Sequence, residues 1–284
     1  SEEHAPQVGD MLMANGAQAV TYRDGADSPI FEPRPGDVIL WEHTLATGLF
    51  DADADIKIII ANLKKSNVFN DDNLQYKVDA LEDKDWEREW MDNFHPIRFG
   101  EKLWICPSWR EIPEPDAINI LLDPGMAFGT GTHPTTAMCL RWIDANPPTG
   151  KTVVDFGCGS GILGIAALLF KAEHVIGIDI DQQALIATKD NAERNKVGDK
   201  FSLYLPSQQP ETQVDLVLAN VLAGPLRELA DTILGFVAPG GQLVLSGILE
   251  RQIEGVIEAY QPHIKFDTPT IDGDWAMLSG TRVG

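Results

Sequence analysis

The chain has 284 residues, 44% of them apolar, which suits two domains with sizeable cores. Its 43 acids against 22 bases leave a net charge of −21, a poor match for nucleic-acid phosphates and a good one for a basic partner. The longest apolar run, Ile165 to Phe170, is too short to cross a bilayer; three cysteines (Cys106, Cys139, Cys158) without C-x-x-C spacing and scattered histidines argue against a disulfide frame or a metal site and for a reducing cytoplasm.

Residues 1–82 read as a small α/β unit. Val8, Met11 and Leu12 mark one face of a helix closing at Gly16. A strand is expected over Ala17 to Tyr22, a loop over Asp24 to Gly36, a strand over Val38 to Trp41 and a helix over Ile56 to Leu63. Tyr76, Val78 and Ala80 alternate with polar neighbours as in a half-buried strand. The order α-β-β-α-β is that of a ferredoxin-like β-α-β-β-α-β unit without its first strand, which is expected before Ser1. Residues 83–115 read as a linker: a charged helix over Asp83 to Phe94, with Trp86 and Trp90 on one face for packing, then a Pro-rich exit.

Residues 116–284 alternate strand and helix. Strands are predicted at 152–156, 174–179, 201–205, 214–219 and 241–247, and helices at about 133–145, 161–171, 182–196, 222–236 and 250–260. The end reads as two further strands around a turn at Asp272-Gly273. Parallel strands joined by right-handed crossovers follow, with an antiparallel hairpin closing the sheet.

The chemistry sits where the first of these strands ends. Val153-Val154-Asp155-Phe156-Gly157-Cys158-Gly159-Ser160-Gly161 is a strand, an acid and three glycines spaced by two. A second apolar strand ends at Asp179, roughly twenty residues on, placed to accept hydrogen bonds from ribose hydroxyls. Two cofactors use such a crevice. The dinucleotide pattern G-x-G-x-x-G fails from Gly157, because its sixth position is Ile162. It succeeds from Gly159 (with Gly161 and Gly164), but that frame begins too far past the strand. D-x-G-x-G-x-G, with the acid closing the strand, fits S-adenosylmethionine better. The methionine end of that molecule needs donors and acceptors, whereas a pyrophosphate needs donors alone. An NAD-dependent oxidoreductase is the alternative.

Three further stretches would line the same cleft. Asp123 to Thr136 is a Gly- and Thr-rich loop entering a helix; Thr136 could bind the methionine end and Phe128 could wall off the methyl group. His133 there reads as a helix cap before it reads as a base. Asn220, in Asn220-Val221-Leu222-Ala223, either accepts from an incoming amine or caps the next helix. Ser246-Gly247 has no assigned role. No G-x-S-x-G elbow is present around Ser160.

Together, Asp83 to Trp90, Asp123 to Thr136, Asp155 to Gly161 and Asn220 to Ala223 resemble the bacterial ribosomal protein L11 methyltransferases over nearly the whole chain. The resemblance implies an α/β fold, in which a Rossmann-like class I methyltransferase domain follows a small ferredoxin-like substrate-recognition domain. It implies S-adenosylmethionine as cofactor and transfer of several methyl groups to the lysine and N-terminal amines of one basic large-subunit ribosomal protein. The cofactor contacts it implies are Thr136, Gly157, Asp179 and Asn220, beside which Gly159, Phe128 and Ile180 are further candidates; Asn220 is the candidate catalytic residue. A cytoplasmic monomer without nucleic-acid or membrane contact is expected, and another basic protein remains an alternative substrate.

Overall fold

The computed structural model describes residues 4–26, 40–66, 68–69, 74–80, 94–123 and 131–284. The chain divides into two compact units, Ser1–Asp85 and Trp86–Gly284. The predicted helix over 83–94 with its two tryptophans lies almost wholly outside the described residues, as do Val38 and Phe128.

The first unit contains α1 (Ala5–Ala14), β1 (Ala19–Asp24), β2 (Thr44–Leu49) and α2 (Ile56–Lys64). Asp55 opens α2 by accepting from the N–H groups of Lys57 and Ile58. β1 and β2 pair antiparallel, from Ala19 opposite Leu49 to Asp24 opposite Thr44. Leu12, Ala17, Ile59 and Leu63 form the core. Two expectations need correction. The second strand is Thr44–Leu49, and Leu40 and Trp41 are not in a strand. Its pattern is inverted: small Ala46 and Gly48 face inward, while Leu45 and Leu49 are exposed. A Cβ on Gly48 would come within 2.8 Å of the Phe50 ring, which leaves no room for a large residue there. Residues 74–80 form no strand either, and Tyr76 and Val78 are exposed. Alternation makes a strand only where a neighbour takes the backbone N–H and C=O groups, and no pairing reaches this segment among the described residues.

The first described elements of the second unit are β3 (Ile97–Phe99), β4 (Leu103–Cys106) and β5 (Ile118–Leu121), a three-stranded sheet within what the sequence suggests is mostly linker. Such short strands next to prolines carry no readable alternation, yet Phe99, Leu103, Ile105 and Ile120 are core residues packed with α3 (Pro134–Ala145). Buried Asp144, near the end of α3, holds the β3–β4 turn: it accepts from Glu101 N at 2.6 Å and Lys102 N at 2.9 Å.

The remaining elements are β6 (Thr152–Phe156), α4 (Ile162–Leu169), β7 (His174–Ile178), α5 (Gln182–Arg194), β8 (Phe201–Tyr204), β9 (Val214–Asn220), α6 (Ala223–Glu228), α7 (Ala230–Phe236), β10 (Val237–Leu249), α8 (Ile253–Tyr260), β11 (Ile264–Phe266), β12 (Thr270–Asp272) and β13 (Trp275–Arg282). They build one sheet in the order β8-β7-β6-β9-β10-β13-β11, with β12 also on β13. β8 to β10 are parallel, and β13 runs antiparallel to β10. The predicted hairpin thus has an extra strand, β11, and the helix expected over 222–236 breaks at Leu229. Two apolar clusters, one on each face, cover the sheet.

Replacing Asp144 with Ala leaves two backbone donors without their carboxylate and should cost about 2–4 kcal/mol in equilibrium denaturation. A loss below about 0.5 kcal/mol would mean that water takes over both bonds.

Candidate active site

β6 lies between β7 and β9, so the connections leaving its carboxyl end and those of its neighbours diverge. This is the switch point at which an open α/β sheet leaves a crevice. The turn after β6 fills the floor. Gly157, Gly159 and Gly161 all have positive φ (72°, 57° and 78°), a conformation that glycine adopts without strain. A side chain on Gly157 would strike Val221, and one on Gly161 would strike Thr188.

Asp179 follows β7 and ties the two strand ends together. Gly159 N donates to its Oδ2 at 2.9 Å and Asp181 N to its Oδ1 at 2.9 Å. Each carboxylate oxygen retains acceptor capacity for a hydroxyl. The next residue, Ile180, is 86% exposed, a large apolar surface at the rim of the crevice.

Sequence reasoning missed the support behind this turn. One face of α5 and the residue following it carry Thr188, Asn191 and Asn195. Thr188 Oγ1 donates to Gly159 O and Asn191 Nδ2 to Ser160 O, both at 2.9 Å. Asn195 bonds both the N–H and the carbonyl of Leu121, at 2.8 and 2.9 Å. The available signal was polar residues at i, i+3 and i+7, one helix face that should have read as solvent but meets the sheet.

The other wall is the start of α3. His133 is its N-cap, its Nδ1 accepting from Thr135 N at 3.4 Å, with Trp275 edge-on at 4.9 Å between centroids. Burial lowers its pKa, so the ring is neutral at pH 7 and serves as a cap. Thr136 is fully buried, and its Oγ1 accepts from Asn220 Nδ2 at 3.1 Å. Asn220 ends β9 and does not cap α6, whose N-cap is Leu222. The structure thus brings Thr136, Gly157, Gly159, Asp179, Ile180 and Asn220 to the carboxyl edge of one sheet.

Beneath the turn, Asp155 is 1% exposed and accepts from Gly164 N at 2.9 Å. Burial, aided by the charge of Asp179, pushes its pKa up to about 7. Burial also raises the Cys158 thiol, and that of Cys139 to about 12, so neither is a thiolate nucleophile at neutral pH.

A family model described as "Ribosomal protein L11 methyltransferase (PrmA)" matches residues 1–283. The chain belongs to this family. It is 95% identical over 284 residues to the ribosomal protein L11 methyltransferase of Idiomarina loihiensis, covering 100% of this chain and 97% of that protein. It is 58% identical over 282 residues to that of Alteromonas mediterranea, covering 99% and 96%. The crystal structure of a ribosomal protein L11 methylase from Lactobacillus delbrueckii subsp. bulgaricus superposes with a TM-score of 0.62 at 31% identity, over 67% of this chain and all of that one. The enzyme is a methyltransferase with an α/β fold, and among its described residues no helix is long and apolar enough to cross a membrane.

The raised Asp155 pKa has a consequence for stability. As pH rises past the ordinary carboxylate range, the unfolded chain gives up this proton while the folded enzyme keeps it until about pH 7. The unfolded state then binds fewer protons, so stability falls across that interval, and the loss is complete once both states are ionised. Asp155→Asn imitates the protonated acid. Thermal denaturation should show the variant gaining on the parent enzyme between pH 5 and 7 and keeping its lead at pH 8; parallel curves would mean that Asp155 ionises normally.

Proposed function

We propose that the crevice binds S-adenosylmethionine and that the enzyme methylates the lysine and N-terminal amines of ribosomal protein L11. Membership of the family supports the substrate, and the net charge of −21 suits capture of a basic protein. Residues 1–82 are assigned to recognition, 116–284 to transfer and 83–115 to the connection. A connection that lets the recognition unit shift would present successive amines to one site.

The observation that carries the reading is the pair of hydrogen bonds across the switch point, Gly159 to Asp179 and Asn220 to Thr136. They set a carboxylate beside a side-chain-free backbone turn at one end and an amide beside a hydroxyl at the other. A nucleoside needs the first set. A zwitterionic methionine tail and an attacking amine need the second. Asp179 would hold the ribose, Ile180 would cover the adenine, and Gly157 and Gly159 would let the backbone approach. Thr136 and Asn220 would meet the methionine end.

The bound sulfonium supplies an electrophilic methyl group; the protein's task is to deliver a neutral nitrogen in line with it. A lysine with pKa ~10.4 is neutral in only about one molecule in two thousand at pH 7, a cost of roughly 4–5 kcal/mol. Asn220 and Thr136 are uncharged and stand beside apolar Val221 and Leu222. Such surroundings lower the amine's pKa. The Asn220 amide oxygen then accepts one amine hydrogen and aims the lone pair.

Asn220→Ala should reduce kcat on unmethylated L11 about a hundredfold while leaving donor affinity within about threefold, in a labelled-methyl assay paired with calorimetry. Asp179→Ala should do the opposite and weaken donor binding by about tenfold or more. If the Asn220 variant loses donor affinity and keeps its turnover, Asn220 is a cofactor ligand alone. Uptake of a nicotinamide nucleotide without any heat from S-adenosylmethionine would overturn the assignment.

A further inference from the structure

β10 carries a feature that none of these roles uses. Its pairing with β13 shifts register between Leu245 and Ile248, so the strand is irregular at Ser246 and Gly247. Bulges of this kind bend a strand and re-aim its side chains, and they concentrate next to active sites. This one lies at the carboxyl edge of the sheet, where Ser246 is in parallel register with Asn220. Gly247 has a φ of 85°, and a side chain there would collide with the backbone of Val221, the residue after Asn220. The irregular stretch therefore packs directly against the strand end that presents the candidate catalytic amide.

Ser246 is fully buried. Its Oγ donates to the carbonyl of Thr135 at 3.1 Å. Thr135 directly precedes Thr136, whose hydroxyl takes the Asn220 amide at 3.1 Å. Two neighbouring strand ends thus grip two successive residues of one helical turn, Ser246 on Thr135 and Asn220 on Thr136. The backbone ladder between β9 and β10 closes the ring. In a closed ring of this size, a change at one hydrogen bond is felt at the opposite one. A helix carbonyl in a first turn already has its intrahelical partner, so the serine bond is not needed to complete α3. What it adds is the lateral position of that turn relative to the sheet.

We propose that Ser246 is a positioning residue for methyl transfer: through Thr135 and Thr136 it sets the orientation in which Asn220 presents its amide to the amine. The proposal rests on the reading of Asn220 as the group that aims the nucleophile. It makes the Ser246–Gly247 irregularity part of the transfer site, although neither residue touches the amine.

The test is a double-mutant cycle with Ser246→Ala, Asn220→Ala and the pair, assayed for kcat on unmethylated L11, donor affinity by calorimetry and folded fraction by circular dichroism. Ser246→Ala should lower kcat about tenfold, since small misalignments of reacting groups are costly, with donor affinity unchanged within about twofold. In the double variant the serine change should have little further effect, because its route runs through Asn220. An unchanged kcat in Ser246→Ala, effects that multiply in the double variant, or a kcat loss that only follows the folded fraction would each overturn the proposal. If Asn220→Ala itself keeps full turnover, the reading of Asn220 fails and this proposal with it; if Asn220→Ala loses turnover and Ser246→Ala does not, this proposal alone fails. Should Ser246→Ala not fold, Ser246→Cys keeps the side-chain volume with a weaker donor. In that variant a lower kcat at unchanged donor affinity supports the proposal, and an unchanged kcat overturns it.

Discussion

The bond from Gly159 N to the Asp179 carboxylate is the constraint on which the rest of the site depends. It joins the turn after β6 to the end of β7, and it forms only because Gly157, Gly159 and Gly161 accept positive φ. Any residue with a Cβ would strain the backbone there and, at Gly157 and Gly161, would collide with Val221 and Thr188. The donor at Gly159 is thereby fixed, and with it the position of the Asp179 carboxylate. α5 supports the same turn from behind through Thr188 and Asn191.

The two ends of the crevice differ in electrostatics. At the Asp179 end a half-buried carboxylate accepts from two backbone N–H groups. At the Asn220 end the polar groups are an amide and hydroxyls, all neutral. In the proposed reading this division reconciles an acidic surface with chemistry that needs an uncharged amine: charge would act over distance to collect a basic substrate, and neutrality would act locally to release its proton. Asp155, buried beneath the turn, follows the same logic: burial away from water disfavours its negative charge, and the nearby Asp179 adds to the effect.

Much of the fold was legible because the main sheet is built from apolar runs ended by acids, glycines or asparagine. The strands over 152–156 and 174–178 were expected within a residue of their observed limits, since parallel strands buried on both faces read as unbroken apolar segments. Thr44–Leu49 was not legible, because its large side chains face outward and its inner face is lined by small ones. β3 and β4 were missed because three or four residues are too few to display a period. Tyr76, Val78 and Ala80 showed a convincing alternation, but among the described residues no strand pairs with them.

Sequence alone determined the chemistry available to this protein: a glycine turn closing one strand, a carboxylate closing the next, and an asparagine closing a third. These are local properties, set by residue type and by spacing along one strand or turn. Only the tertiary structure decided which distant groups meet. That Asn220 bonds Thr136 and does not cap α6, that Ser246 holds Thr135, and that Asn195 holds Leu121 follow from strand order and helix packing. Hydrogen bonds between residues remote in sequence leave no periodic trace in the chain, because each partner's identity is compatible with many neighbours until the sheet brings one of them within reach.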